Sequence, residues 1–290
     1  AAPFWGIPWL EACLGCETYA DLKTGSTRTR PPASFLQNPW VPEFSPDNVW
    51  VRKLAEFSCA LDTLGAGRFG VGATLLRGVA DLLVALYGAE ELLMHMYETP
   101  DDIREMASRI ADYWISSARY LLRARKPFHR GTGVFLYSLW CPGETIWLQE
   151  DAAALLSPQL YEEFIYPSDC RIGAAFEHTV FHIHPSQFMP VEYVLRAGID
   201  VIELHVDKGG PSVEQLYATH RKVLETRPML IWGYLREPDL LFLLERLPHE
   251  GLAINIAVPD HEEAESLWRV FNDRLKESRK PACAEGTRDA

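Results

Sequence analysis

The chain has no uninterrupted apolar run approaching the ~18 residues needed to cross a bilayer, and its first residues show no basic stretch followed by an apolar one of the secretory type. It is also poor in positive charge. Against 40 Asp and Glu stand 28 Lys and Arg among 290 residues, a formal net charge of −12. Nucleic acid and anionic membranes are normally bound by a basic face, so neither is an expected partner. The same balance gives no long-range help in drawing in a polyanionic substrate, although a local arginine cluster could still hold one. Cysteine is scarce: the six lie scattered at positions 13, 16, 59, 141, 170 and 283. Only Cys13-Leu14-Gly15-Cys16 has redox or metal-type spacing, and no second such pair completes a zinc site. Their simplest reading is as reduced thiols, and that of the chain as a cytoplasmic protein. No internal repeat is visible.

What is present is core-forming material. Hydrophobic residues make up 48% of the chain, enough for one large domain over residues 1–290. Residues 1–46 are rich in Pro, Trp and Gly and read as irregular, apart from a short helical stretch near 10–14. Helices are expected from Pro46-Asp47 to about 64, over 81–97 and from 100 to about 125. Further helices are expected from Ser157-Pro158 onward and near 187–197, 212–226, 238–247 and 262–276. Thr99-Pro100-Asp101-Asp102 is a good helix start, because Thr99 can cap, Pro100 suits the first turn and two carboxylates meet the helix dipole. Strands are expected over 69–73, 133–139, 179–184, 200–206, 229–234 and 252–257. The tail, 277–290, reads as polar and disordered. Alternating strands and helices predict a parallel sheet. With one or two more strands in the first 66 residues, the count fits an α/β fold of the (β/α)8 TIM-barrel type.

The chemistry concentrates at two strand ends. In Phe181-His182-Ile183-His184-Pro185-Ser186 two imidazoles at i and i+2 share one face of a strand, and Pro185 stops it. Ile199-Asp200-Val201-Ile202-Glu203-Leu204-His205 repeats the arrangement, with Glu203 and His205 two apart. Parallel α/β sheets keep their chemistry at such strand ends. His182 and His184 read as metal ligands, as hydrogen-bonding groups of a substrate pocket, or as core. Glu203 reads as a third ligand, as a general base with a raised pKa, or as a partner of histidine or arginine. Asp207-Lys208-Gly209-Gly210 reads as a solvated turn. Trp140, Cys141 and Glu144 are expected on a loop after a strand, overhanging the same cleft, with Glu144 as substrate contact, ligand or ion-pair partner. Asp151 reads as a site residue or a helix cap. Tyr234, Trp232 and Asn255 lie at later strand ends, and Arg77 could neutralise a carboxylate.

The order of motifs resembles the uroporphyrinogen decarboxylase superfamily, which also contains zinc-dependent, cobamide-dependent methyltransferases. The resemblance runs over nearly the whole chain. It is carried by Pro8-Trp9-Leu10-Glu11-Ala12-Cys13-Leu14-Gly15, Leu76-Arg77-Gly78-Val79-Ala80-Asp81-Leu82-Leu83, Thr99-Pro100-Asp101-Asp102 and Trp140-Cys141-Pro142-Gly143-Glu144. Further matches are Asp151 with Leu156-Ser157-Pro158-Gln159-Leu160-Tyr161-Glu162-Glu163-Phe164 and Pro167, the His182 strand, and Ala197-Gly198-Ile199-Asp200. It implies a (β/α)8 barrel with its cleft at the C-terminal strand ends, and often a homodimer. Ala1 falls late relative to the family, which leaves room for a first strand ahead of it.

Two departures bear on function. Classical decarboxylases carry an Arg-Gln-Ala-Gly-Arg-type segment for substrate carboxylates, and Ser26-Thr27-Arg28-Thr29-Arg30-Pro31 does not match it. The methyltransferase branch has a His-x-Cys pair at the strand of His182 and another Cys near the last strand. Here those places hold His184 and the cysteine-free Ile254-Asn255-Ile256-Ala257-Val258. That excludes a His-Cys-Cys zinc site and leaves one built from nitrogen and oxygen. The resemblance implies a methyltransferase working with a thiol or corrinoid acceptor, the corrinoid carried by a partner protein, and a divalent metal such as zinc. On this reading His182, His184 and Glu203 are the ligands; Glu203, His205 and Glu144 are catalytic; and Arg77, Trp140, Asp151, Tyr234 and Asn255 contact a small-molecule substrate. The alternatives are a decarboxylase of a small or tetrapyrrole carboxylic acid and a non-catalytic small-molecule-binding barrel.

Overall fold

A computed structural model describes residues 1–278 apart from 5, 24 and 135–137; the expected polar tail lies largely outside these residues. The chain opens with α1 (Trp9–Cys13), a hairpin of β1 (Glu17–Asp21) and β2 (Ser26–Arg30), and α2 (Val49–Gly65). After the short β3 (Leu76–Arg77) come α3 (Val79–Tyr87), α4 (Ala89–Glu98) and α5 (Pro100–Arg123). A second hairpin, β4 (Gly131–Val134) with β5 (Leu139–Pro142), leads into β6 (Thr145–Gln149), a 3-10 turn over Asp151–Leu155, α6 (Pro158–Phe164) and α7 (Tyr166–Gly173). Strands and helices then alternate: β7 (His178–Ile183), α8 (Val191–Arg196), β8 (Val201–Val206), α9 (Val213–Leu224), β9 (Met229–Gly233), α10 (Glu237–Arg246), β10 (Leu252–Ile256) and α11 (His261–Ser278).

Six strands form one parallel sheet in the order β10-β9-β8-β7-β6-β3. Among the described residues its outer strands, β10 and β3, do not meet. The chain is thus a mixed α/β fold around a six-stranded parallel sheet, compatible with the barrel-like fold expected, with no closed eight-stranded barrel among the described residues. The membership also differs from the expectation. Residues 69–73 form no strand, and Ala73 donates a single 2.9 Å bond to Gly133 O. The strand expected over 133–139 is split: its first residues belong to β4, its last to β5, and 135–137 lie outside the described residues. β3 and β6 take the two places in the sheet instead.

Strand pleating sorts the side chains onto two faces. Ile146, Leu148, Phe181, Ile183, Ile202, Leu204, Met229 and Ile231 point to the helices and are buried in one continuous core. The opposite face carries Trp147, Val180 and Leu230, which pack with Val134 and Leu139 of the β4–β5 hairpin. The same face carries a transverse row, set by the register: Arg77, Gln149, His182, Glu203, Leu230 and Ala253 lie side by side on successive strands.

Local chemistry explains the helix boundaries. Asn48, rather than Pro46-Asp47, starts α2: its Oδ1 accepts from Trp50 N at 2.9 Å and Val51 N at 3.4 Å. The single helix expected over 81–97 breaks at Gly88, whose φ of +84° interrupts the helix between α3 and α4. Thr99 precedes α5 but its side chain makes no cap; Pro100 and the two aspartates define that start.

One pair of contacts ties the sheet to α3. Both carboxylate oxygens of Glu150 accept from the first helical N–H groups, Val79 at 2.6 Å and Ala80 at 2.8 Å. In return Asp81 accepts from Asp151 N at 3.1 Å and Ala152 N at 3.0 Å, at the start of the 3-10 turn. Each element thus supplies the orphan N–H groups of the other with a carboxylate. Gly78 lies between them, where a Cβ would stand 2.1 Å from Glu150 Oε1 and 2.6 Å from Gln149 O.

Candidate metal centre

Parallel pairing sets His182 beside Glu203 in register, and His205 lies two residues further along the same strand face. The three side chains are 4%, 0% and 6% exposed, respectively. Glu203 Oε2 is in direct contact with His182 Nδ1. Glu203 Oε1 lies 3.6 Å from His205 Nδ1, beyond hydrogen-bond reach, and both of these buried atoms lack a hydrogen-bond partner among the described residues. Burial, opposed by His205 and His184, pushes the Glu203 carboxyl up to about 7. Burial and the neighbouring His184 push the His182 imidazole down to about 3, so it is neutral near pH 7 and keeps a lone pair for a ligand.

A more open layer lies above. His184 Nδ1 is 3.0 Å from both oxygens of Asp207, whose Oδ1 is 3.5 Å from His205 Nε2. The rings of His182 and His184 meet edge-on with centroids 4.5 Å apart, and His205 packs against Trp232 at 4.3 Å. Three groups bring ligand atoms within 4.8 Å of one another: His182, Glu203 and His205; Asp151, His182 and His184; and His184, His205 and Asp207. A cavity of about 30 Å³ adjoins His182 and His184 and is walled by Ala153, Ala154, Phe181 and Phe188.

Asp207, expected in a solvated turn, is part of the cluster. Its signal was in the sequence, since Glu203, His205 and Asp207 continue one period of two. Gln149, likewise not foreseen, is in contact through Nε2 with Asp151. Arg77 sits in the transverse row, two strands from His182, and pairs with the buried Glu11 at 3.3 Å. Asn255 is in register with Trp232, two strands from His205, and lines a separate groove with Leu139 and Leu230. Tyr234 is exposed and lines a further cavity with Asp207 and Arg236.

Glu144 and Trp140 are not brought to the cluster, which corrects the expected shared cleft. The residue before β6 is Glu144, so it stands at the N-terminal edge of the sheet, where it bonds His178 N at 2.9 Å through its carbonyl. Trp140 is a residue of β5 and donates to Phe128 O at 2.8 Å. Five residues of β6, roughly 16 Å of strand, separate Glu144 from the row of His182.

No family model matches the chain, and no curated protein sequence matches it. Among solved structures it is similar to a methyltransferase from Methanosarcina mazei, with a TM-score of 0.62 over 96% of this chain and 80% of that one, at 13% identity. That likeness is one of fold.

Proposed function

We propose that the chain is a methyltransferase whose divalent metal, of the zinc type, is held by His182, Glu203 and His205. The observation that carries this reading is the buried pair Glu203 Oε1 and His205 Nδ1, two ligand-type atoms left without partners 3.6 Å apart. Polar atoms buried in this way need a partner, and a nitrogen–oxygen donor set suits zinc and similar cations. The fold likeness to a methyltransferase and the motif order both support the same class.

A bound cation of this kind would supply Lewis-acid chemistry, lowering the pKa of a substrate thiol. The chain's own residues do the remaining work. Neutral His182 offers its lone pair, Glu203 provides the negative charge that steadies a cation, and Asp207 orients His184 at the mouth. The cavity of about 30 Å³ beside His182 and His184 has room for a group of methyl size rather than for a whole substrate. On this proposal the methyl group passes between that substrate or a thiol and a corrinoid carried by a partner protein, and the chain works as a homodimer.

The test joins two measurements on the purified chain, its divalent metal content and transfer of a methyl group from methylcobalamin to a small thiol. Wild type should carry close to one ion and transfer the methyl group, and His182→Ala should lose both. A metal-free chain that transfers the methyl group at the same rate would reject the metal centre. A metal-loaded chain that transfers no methyl group would reject the reaction.

A further inference from the structure

Arg125 lies just beyond the end of α5, is 8% exposed, and has a buried Nε without a hydrogen-bond partner among the described residues. No carboxylate pairs with it among the described residues. Burial alone pushes its guanidinium down to about 10, with no acid to raise it, so it stays cationic near pH 7. A buried cation without a counter-charge is costly. The carbonyls at the end of α5 offset part of that cost, but two of them are engaged: Ala124 O, just past the helix, accepts from the Cys59 thiol at 3.0 Å and Leu122 O accepts from Arg125 N at 3.4 Å.

Arg125 lines a cavity of about 20 Å³ among α2, α5, the segment entering β3, and β6. Its walls are mostly apolar: Leu54, Leu121 and Trp147 among others, with the hydroxyls of Ser58 and Thr74. Ser58 Oγ donates to Leu54 O at 2.9 Å, whereas Thr74 Oγ1 reaches Pro3 O only at 3.4 Å and is the freer to re-aim. This pocket forms at the beginning of β6, whereas the histidines sit where β7 ends; the two share only Trp147 as a wall, whose ring lies 5.3 Å from that of His182.

We propose that this cavity is a binding site for a small monovalent anion of halide size, held by Arg125 with help from Thr74. Size decides the class. A site of 20 Å³ takes one or two water-sized occupants at roughly 10–15 Å³ each. Chloride fits that space, and a four-oxygen sulfate or phosphate does not. An anion there completes the charge balance at the junction of α2 and α5, and it links the stability of that junction to chloride in solution.

The experiment compares thermal unfolding of the full chain and of Arg125→Met in sodium chloride and in sodium gluconate at matched ionic strength. The chloride-minus-gluconate difference in Tm should be larger in wild type than in the variant by about 2–4 °C. Equal differences in the two proteins would overturn the site. An equal or larger wild-type-minus-variant difference in sulfate would overturn the size argument, the comparison cancelling sulfate's general stabilising effect. Should Arg125→Met fail to fold, crystals of wild type grown in bromide decide. Anomalous density beside the Arg125 guanidinium is expected, and a cavity without it overturns the proposal.

Discussion

Glu203 touches two histidines in unlike ways: one carboxylate oxygen contacts His182 Nδ1, and the other faces His205 Nδ1 across 3.6 Å without bonding it. The carboxylate is thus half satisfied in a buried site. Metal content should fall in Glu203→Gln, because the amide keeps the shape and removes the charge. His205→Ala should behave alike. Elemental analysis after dialysis against trace zinc reads both, and each variant is expected to hold the ion at least tenfold more weakly. Glu203→Gln retaining its metal while losing activity would assign Glu203 to acid–base work instead.

Asp169, which faces the Glu150 cap, supplies a pH test. It is fully buried, accepts from Tyr161 Oη, and is pushed up to about 7 by burial. The folded chain therefore keeps a proton that the unfolded chain releases above the ordinary carboxylate range. The stability this adds is whole below about pH 4 and is lost as pH rises through about 7. Urea unfolding at pH 5, 6, 7 and 8 should show the decline, up to roughly 1.4 kcal/mol per pH unit for one group. In Asp169→Asn the slope should be shallower.

Phe181 is wholly buried on the helix-covered face, next to His182 in sequence but opposite to it in space. Phe181→Ala should cost about 3–5 kcal/mol by removing a large side chain from a packed core. Trp268 is largely exposed on α11, and Trp268→Ala should stay within about 0.5 kcal/mol. Equilibrium unfolding in urea separates the two, and equal losses would contradict the assignment of faces.

Gly78→Ala should destabilise by about 1–3 kcal/mol, since the new methyl collides with Glu150 and with the backbone of Gln149. Asp151 follows that contact directly, so metal affinity should weaken as well. Unchanged stability would mean that the Glu150 cap yields freely.

Legibility followed pattern strength. The alternation in 179–184 and 200–206 is long and apolar on one face, and it sent Phe181 and Ile183 to the helices while pairing His182 with Glu203. The first hairpin escaped because β1 and β2, Glu17–Asp21 and Ser26–Arg30, are polar and largely exposed and bear no buried stripe. β6 escaped for the opposite reason: all five of its residues are buried, so no period shows. Missing β6 moved Glu144 and Trp140 to the wrong end of the sheet. The His–Glu pairing was legible because it lies on alternating strands, whereas Arg125 carried no mark in sequence; its isolation is a property of packing.

The mutual caps of Glu150 and Asp81 have a consequence for how this molecule can vary. Asp151 hangs from a joint closed from both sides, so the wall of the proposed metal centre cannot be reshaped without loosening the first turn of α3, and α3 cannot be re-sequenced at Asp81 without releasing that wall. On the proposed function, preference for a substrate is freer to drift on the far side of the cluster, at the exposed Tyr234 side chain, than along this joint.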